Sequence, residues 1–149
     1  STPKSTAMGV LSPVVLNTMT SDAVIRIVNW VGMSGVVICC KESVIIGDHV
    51  MFGSGAVICD TDFHFLDYSI RATGGKEDLL NAASAPVVID NDCFIGAGAI
   101  VLKGVHIGER SIVAAGAVVV KSVPSDVIVA GNPARVVKRL NSENCYAEN

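Results

Sequence analysis

Aromatic residues are scarce in this sequence, 5% of 149 residues, although half of the chain is hydrophobic. That scarcity excludes a core of large rings and leaves Val, Ile, Ala and Gly to fill the interior, as thin stacked strands do. Clustered Lys and Arg are missing too. With a net charge of −3, neither nucleic acid nor an anionic membrane finds the basic patch it requires. No apolar run reaches spanning length, the longest being Ile112 to Val120, so membrane insertion is not expected. No basic start leads into an apolar core and a small-residue cleavage site, so secretion has no support. The chain begins at Ser1 rather than Met, which leaves open that sequence precedes it. Cys39, Cys40, Cys59, Cys93 and Cys145 fit neither a zinc clip nor a disulfide framework. They read as small buried hydrophobes in a reducing compartment, the cytoplasm, with a nucleophilic thiol the minor alternative. The length suits one domain.

What the sequence does have is a period. Ile89, Ile95, Val101, Ile107, Val113 and Val119 place an aliphatic at every sixth position. Four places after each comes a small or modest residue: Cys93, Ala99, Val105, Ser111, Ala117 and Val123. Ile46 to Val50 and Phe52 to Ala56 keep the same spacing, and a fainter block begins at Ile27 and Met33, with an extra residue near Cys39 and Cys40. A sandwich of short strands predicts turn signals at wider, less regular intervals. A strict six predicts a triangular coil, three hexads to the turn, with the aliphatic inside and the small residue near a corner. Gly or Asp in the turns tolerates angles that β-branched residues resist, and coils stack by nearest-neighbour pairing. The expectation is an all-β chain whose β-helix covers residues 25–140. Residues 1–24 form a cap, an irregular segment or an imperfect first coil, and 141–149 form a flexible tail.

The repeat stops at Ile58 and resumes at Val87, leaving one long excursion at about 60–86. Loops of that length in a compact domain are usually functional or disordered. This one opens with Asp60-Thr61-Asp62-Phe63-His64 rather than low-complexity linker, and reads as an active-site loop. His49 and His106 sit at variable hexad positions and read as solvated side chains.

The [LIV]-G-x-x-[small]-x pattern, over about Ile25 to Leu140, resembles the hexapeptide repeat of the left-handed β-helix acyltransferases. The period alone gives no hand, and the general crossover rule favours the right; the left hand comes from the resemblance. The Asp60–His64 stretch is similar to the D-x-D-x-H segment of galactoside, maltose, nodulation-factor and polysaccharide-locus O-acetyltransferases. The resemblance implies a homotrimer with active sites between subunits. It implies acetyl-CoA as acyl donor, a small-molecule acceptor hydroxyl, and His64 as the general base that takes the hydroxyl proton. A backbone N–H of an adjoining coil would stabilise the oxyanion. Phe65 stands where many of those enzymes have proline.

By the same likeness Ser34 matches an acceptor-binding asparagine, and Glu42 falls within one place of an acceptor-binding acid. Asp60 and Asp62 either orient His64, bind a sugar hydroxyl, or cap the loop through local hydrogen bonds. Ala97 and Ala115, in runs one coil apart, match positions that contact CoA. Lys121-Ser122-Val123-Pro124 and Gly131-Asn132-Pro133-Ala134-Arg135 are similar to the family's closing segments at the cofactor end, in which Arg135 and Lys138 match basic positions that approach the nucleotide phosphates.

Rival readings stay open. An N-acetyltransferase of an amino sugar, or a serine O-acetyltransferase, would want basic residues near His64, for which only Arg71 and Lys76 are candidates. A γ-type carbonic anhydrase needs three metal histidines, and the spacing of His49, His64 and His106 suits none; no metal is expected. A scaffold without chemistry would tolerate loss of His64.

Overall fold

The computed structural model describes residues 12–141. The outer part of the expected cap, residues 142–149 of the expected tail, and Cys145 lie outside the described residues. The first strands are β1 (Val15–Thr18), β2 (Val24–Ile27), β3 (Val37–Cys40), β4 (Ser43–Ile46), β5 (Met51–Phe52) and β6 (Val57–Cys59). After them come two short helices, α1 (Tyr68–Arg71) and α2 (Lys76–Asn81). The repeat resumes with β7 (Val87–Ile89), β8 (Phe94–Ile95), β9 (Ile100–Val101), β10 (His106–Ile107), β11 (Ile112–Val113) and β12 (Val118–Val119). It closes with β13 (Val127–Gly131) and β14 (Ala134–Arg139).

These strands form three sheets that the chain visits in rotation. Face I is β1-β3-β6-β9-β12, face II is β2-β4-β7-β10, and face III is β5-β8-β11-β13-β14. Every pairing is parallel except β13 with β14, which closes the stack as an antiparallel hairpin. The architecture is a left-handed parallel β-helix. Its first strand, β1, falls inside the segment read as a cap, an irregular segment or an imperfect first coil, and pairs in parallel with β3.

The hexads explain the core. Ile89, Ile95, Val101, Ile107, Val113 and Val119 are each no more than 1% exposed, stacked in register from coil to coil. The small-residue positions are buried with them, including Ser111. That hydroxyl is tolerated because it donates to the Pro124 carbonyl at 2.7 Å and accepts from the Val127 amide at 3.3 Å.

The corners use two different solutions. From face III to face I the chain turns through Gly35, Gly55, Gly98 and Gly116, all at positive φ. From face II to face III the corresponding residues are Trp30, His49, Asp92, Arg110 and Asp126, also at positive φ (56–59°). Each left-handed non-glycine residue costs about 1 kcal/mol. Amide ladders offset it: His49 donates to the Asn29 carbonyl, Asp92 to Asp48, Arg110 to Asn91 and Asp126 to Glu109. Arg110 also forks onto both Asp126 oxygens at 2.6 and 2.8 Å.

Cys40, Cys59 and Cys93 are buried, Cys39 is half-buried, and all four are free. Burial pushes the Cys40, Cys59 and Cys93 thiols up to about 11, which makes them inert small hydrophobes. Among the described residues no helix is long and apolar enough to cross a membrane.

Candidate active site

The excursion between β6 and β7 contains the two short helices rather than structureless chain. Its base is pinched shut: Thr61 bridges Ser84, Asp62 donates to the Ala83 carbonyl, and Ala85 donates to Asp60. Asp67 caps α1 by accepting from the Ser69 amide at 2.8 Å and its hydroxyl at 2.7 Å. Arg71 turns back to the Phe65 and Leu66 carbonyls at 2.9 and 3.1 Å. The segment around His64 is therefore fixed from both sides.

His64 sits at the mouth of this excursion with 63% of its side chain exposed. Its Nδ1 lies 2.6 Å from Oδ2 of Asp78, a residue of α2 whose side chain is only 5% exposed. The other Asp78 oxygen accepts the Phe65 amide at 2.7 Å. The hydrogen bond from His64, then that from Phe65, hold the Asp78 carboxyl below its ordinary range. An ionised carboxylate can only accept, so Nδ1 carries a proton, and in the neutral tautomer that this fixes the lone pair lies on Nε2. Asp78 is the residue that sequence reasoning missed. Gly74-Gly75 before Lys76–Asn81 is a legible helix start, but nothing local distinguishes Asp78 from Glu77 as the partner of a histidine fourteen residues away.

Neither acid of the opening stretch touches the imidazole. Asp60 has three expected roles, orienting His64, binding a sugar hydroxyl or capping the loop, and its carboxylate is seen bonded to backbone amides. It is 0% exposed, and its carboxylate accepts the Lys41, Glu42 and Ser43 amides at 2.7, 2.7 and 2.8 Å. It stitches the corner after β3 to the start of the excursion. Asp62 instead pairs with Lys103 of the next coil at 2.8 Å.

Glu42 is exposed at the same corner, its carboxylate accepting the Ser84 hydroxyl at 3.1 Å. Ser34 lies elsewhere. The Gly55 amide bonds to Ser34, Gly98 to Ser54 and Gly116 to Ala97, so Ser34, Ser54, Ala97 and Ala115 form one column on the face III–face I corner. Ser34 thus shares an edge with the expected CoA positions. It is separated from Glu42 by the width of face I, roughly 13 Å for a four-residue strand.

Beside this column a Cβ on Gly55, Gly98 or Gly116 would project into open space. Gly96 is different: a Cβ there would lie 2.5 Å from the Ala115 amide nitrogen, so the coils meet backbone to backbone. At the C-terminal end of the stack a cavity of about 260 Å³ is lined by Val119, Lys121, Ser122, Val123, Val129, Ala134, Arg135 and Val136. It brings Lys121 and Arg135 together, over an apolar floor. Lys138 is half-buried further along β14. The other two histidines face carboxylates of their own, His49 with Asp92 at 3.4 Å and His106 with Asp90 at 2.7 Å. Among the described residues no three His, Cys, Asp or Glu side chains converge as a metal site.

A left-handed β-helix of hexads, interrupted once by a long excursion, is an architecture shared with known proteins. A family model described as the hexapeptide repeat of succinyl-transferase matches residues 43–59 and 86–121. Galactoside O-acetyltransferase of Lactococcus lactis is 35% identical over 101 residues, covering 68% of this chain and 45% of that enzyme. A 2,3,4,5-tetrahydropyridine-2,6-dicarboxylate N-acetyltransferase of Enterococcus faecalis is 52% identical over 61 residues, 41% of this chain and 26% of that enzyme. Among solved structures, a hexapeptide-repeat acetyltransferase of Vibrio cholerae O1 biovar eltor, complexed with acetyl-coenzyme A, superposes with TM-score 0.66 at 35% identity. That match covers 79% of this chain and 60% of the Vibrio chain. The chain carries the hexapeptide repeat and is similar to hexapeptide-repeat acetyltransferases. It spans less than half the length of these two curated relatives.

Proposed function

We propose that the chain transfers the acetyl group of acetyl-CoA to a hydroxyl of a saccharide or similar small acceptor, with His64 as general base. The observation that carries this reading is the His64–Asp78 pair: an exposed imidazole whose Nδ1 is committed to a buried carboxylate, leaving Nε2 to accept a proton. Nε2 takes the proton of the acceptor hydroxyl as its oxygen attacks the thioester carbonyl. Collapse of the tetrahedral species breaks the C–S bond, and the proton returns from the imidazolium to the departing thiolate. The acyl donor lies along the Ser54–Ala97–Ala115 corner, where bare glycine backbone leaves room for the pantetheine arm. Lys121 and Arg135 receive the nucleotide phosphates at the end cavity, with Lys138 further along the same hairpin. The complex of the Vibrio relative with acetyl-coenzyme A supports that donor.

The corner column and the His64 loop border opposite edges of face I, which supports an active site shared between copies. Face I is apolar outward, with Val15, Val37, Val57, Ile100 and Val118 in one register row. Three copies packed on this face bring His64 of one to the Ala97–Ala115 corner of the next.

The Enterococcus N-acetyltransferase match favours a second reading, transfer to an amine of a charged acceptor. Such an acceptor needs cations close to His64; of the two candidates Arg71 is engaged by the Phe65 and Leu66 carbonyls, which leaves the exposed Lys76 alone. A neutral hydroxylic acceptor fits better. The discriminating experiment is thiol release from acetyl-CoA against a panel of sugars, nucleotide sugars, amino sugars and amino acids. Release with neutral sugars supports the proposal, and release confined to amines replaces it with the second reading. Silence across the panel, with no acetyl-CoA binding by calorimetry, leaves a scaffold.

A further inference from the structure

Helix α2 carries Asp78, yet little in the helix accounts for its own stability. It has six residues, its N-cap Gly75 offers no side-chain hydrogen bond, and Asp78 is its buried residue. Helices this short do not persist in water without tertiary contacts. At its C-terminal end, however, the Lys41 ammonium donates to the Leu80 carbonyl at 3.0 Å and the Ala82 carbonyl at 2.6 Å. These are end-of-helix carbonyls without a helical partner, where a cation is also favoured by the peptide dipoles. Lys41 is in turn held at its own backbone, its amide donating to the buried Asp60 carboxylate at 2.7 Å.

From this chain of contacts we infer that Lys41 is a positioning residue for the catalytic base: it clamps α2 so that Asp78 holds His64. This inference rests on the reading of His64 as base, but the clamp itself is observable without turnover. The Phe65 amide, which Asp78 accepts at 2.7 Å, reports the docking of α2. The Gly96 amide, bonded to Val113 within the coil stack, reports the β-helix.

The test compares the intact chain with Lys41→Met and Lys41→Arg. In Lys41→Met, hydrogen exchange of the Phe65 amide accelerates roughly tenfold, as loss of a local clamp requires, while exchange at Gly96 is unchanged. Lys41→Arg, whose guanidinium can still donate to both carbonyls, restores the slow exchange. With acetyl-CoA and galactose as probes, kcat of Lys41→Met falls without a rise in KM for acetyl-CoA. Unchanged Phe65 exchange in Lys41→Met overturns the inference whatever the turnover. Faster exchange with unchanged kcat overturns the positioning role and leaves only a structural one. Failure of the underlying reading shows separately, as full activity in His64→Ala.

Discussion

Asp78 binds the His64 ring and the next residue's amide with one carboxylate, Oδ2 at 2.6 Å from Nδ1 and Oδ1 at 2.7 Å from the Phe65 nitrogen. One buried side chain thus bears on both the tautomer of the His64 ring and the path of the backbone that carries it.

Asp78→Asn keeps the size and loses the charge. Its amide can donate to Nδ1, which moves the ring proton to Nε2 and silences the base. The expected fall in kcat is roughly 10²-fold, with KM for acetyl-CoA unchanged. Stability carries a second signature. The Asp78 carboxyl is held low by His64 and Phe65, so its stabilisation is present above the unfolded value of about 4 and is lost as pH falls through the folded value. Thermal melts of the wild type and Asp78→Asn should differ most near neutrality and converge in acid.

Asp60 and Asp62 stand two residues apart and should respond very differently. Asp60→Ala leaves three amide donors without partners and should cost on the order of 3 kcal/mol. It should lower the urea midpoint at unchanged m. Asp62→Ala breaks a partly exposed pair with Lys103 and should cost less than about 1 kcal/mol.

The corner glycines separate two kinds of constraint. Gly96→Ala drives a Cβ against the Ala115 backbone and should cost about 3 kcal/mol, because neither coil can yield alone. Gly98→Ala meets open space but keeps a φ of 64°, a penalty of about 1 kcal/mol. Paired urea titrations distinguish them.

Arg135→Ala removes a cation from the rim of the end cavity. KM for acetyl-CoA should rise about tenfold with kcat unchanged, and the salt sensitivity of KM should diminish. A change in kcat alone would place Arg135 outside the donor site.

The coils were legible in the sequence because each hexad repeats the same local choice, and six aliphatics at one spacing bury in one core. The break at Ile58 was legible for the same reason, and it pointed to His64. Asp78, Lys41 and Lys103 were not, because their partners lie thirteen or more residues away, across an excursion whose path no period dictates. Asp60 was legible only with its role open, orienting His64, binding a sugar hydroxyl or capping the loop, because nothing local shows that the backbone turn points its carboxylate at the Lys41–Ser43 amides. Trp30 and Arg110 were equally hidden. A left-handed corner held by amide ladders and ion pairs leaves no glycine to read.

The most direct test of the central claim is thiol release by His64→Ala with saturating acetyl-CoA and an acceptor that the wild type turns over. His64 is largely exposed, so the variant should fold and bind acetyl-CoA by calorimetry as the wild type does. Turnover should fall by about 10²–10⁴-fold, the range for loss of a general base. Wild-type turnover in a variant that binds acetyl-CoA normally would contradict the account and move the base elsewhere.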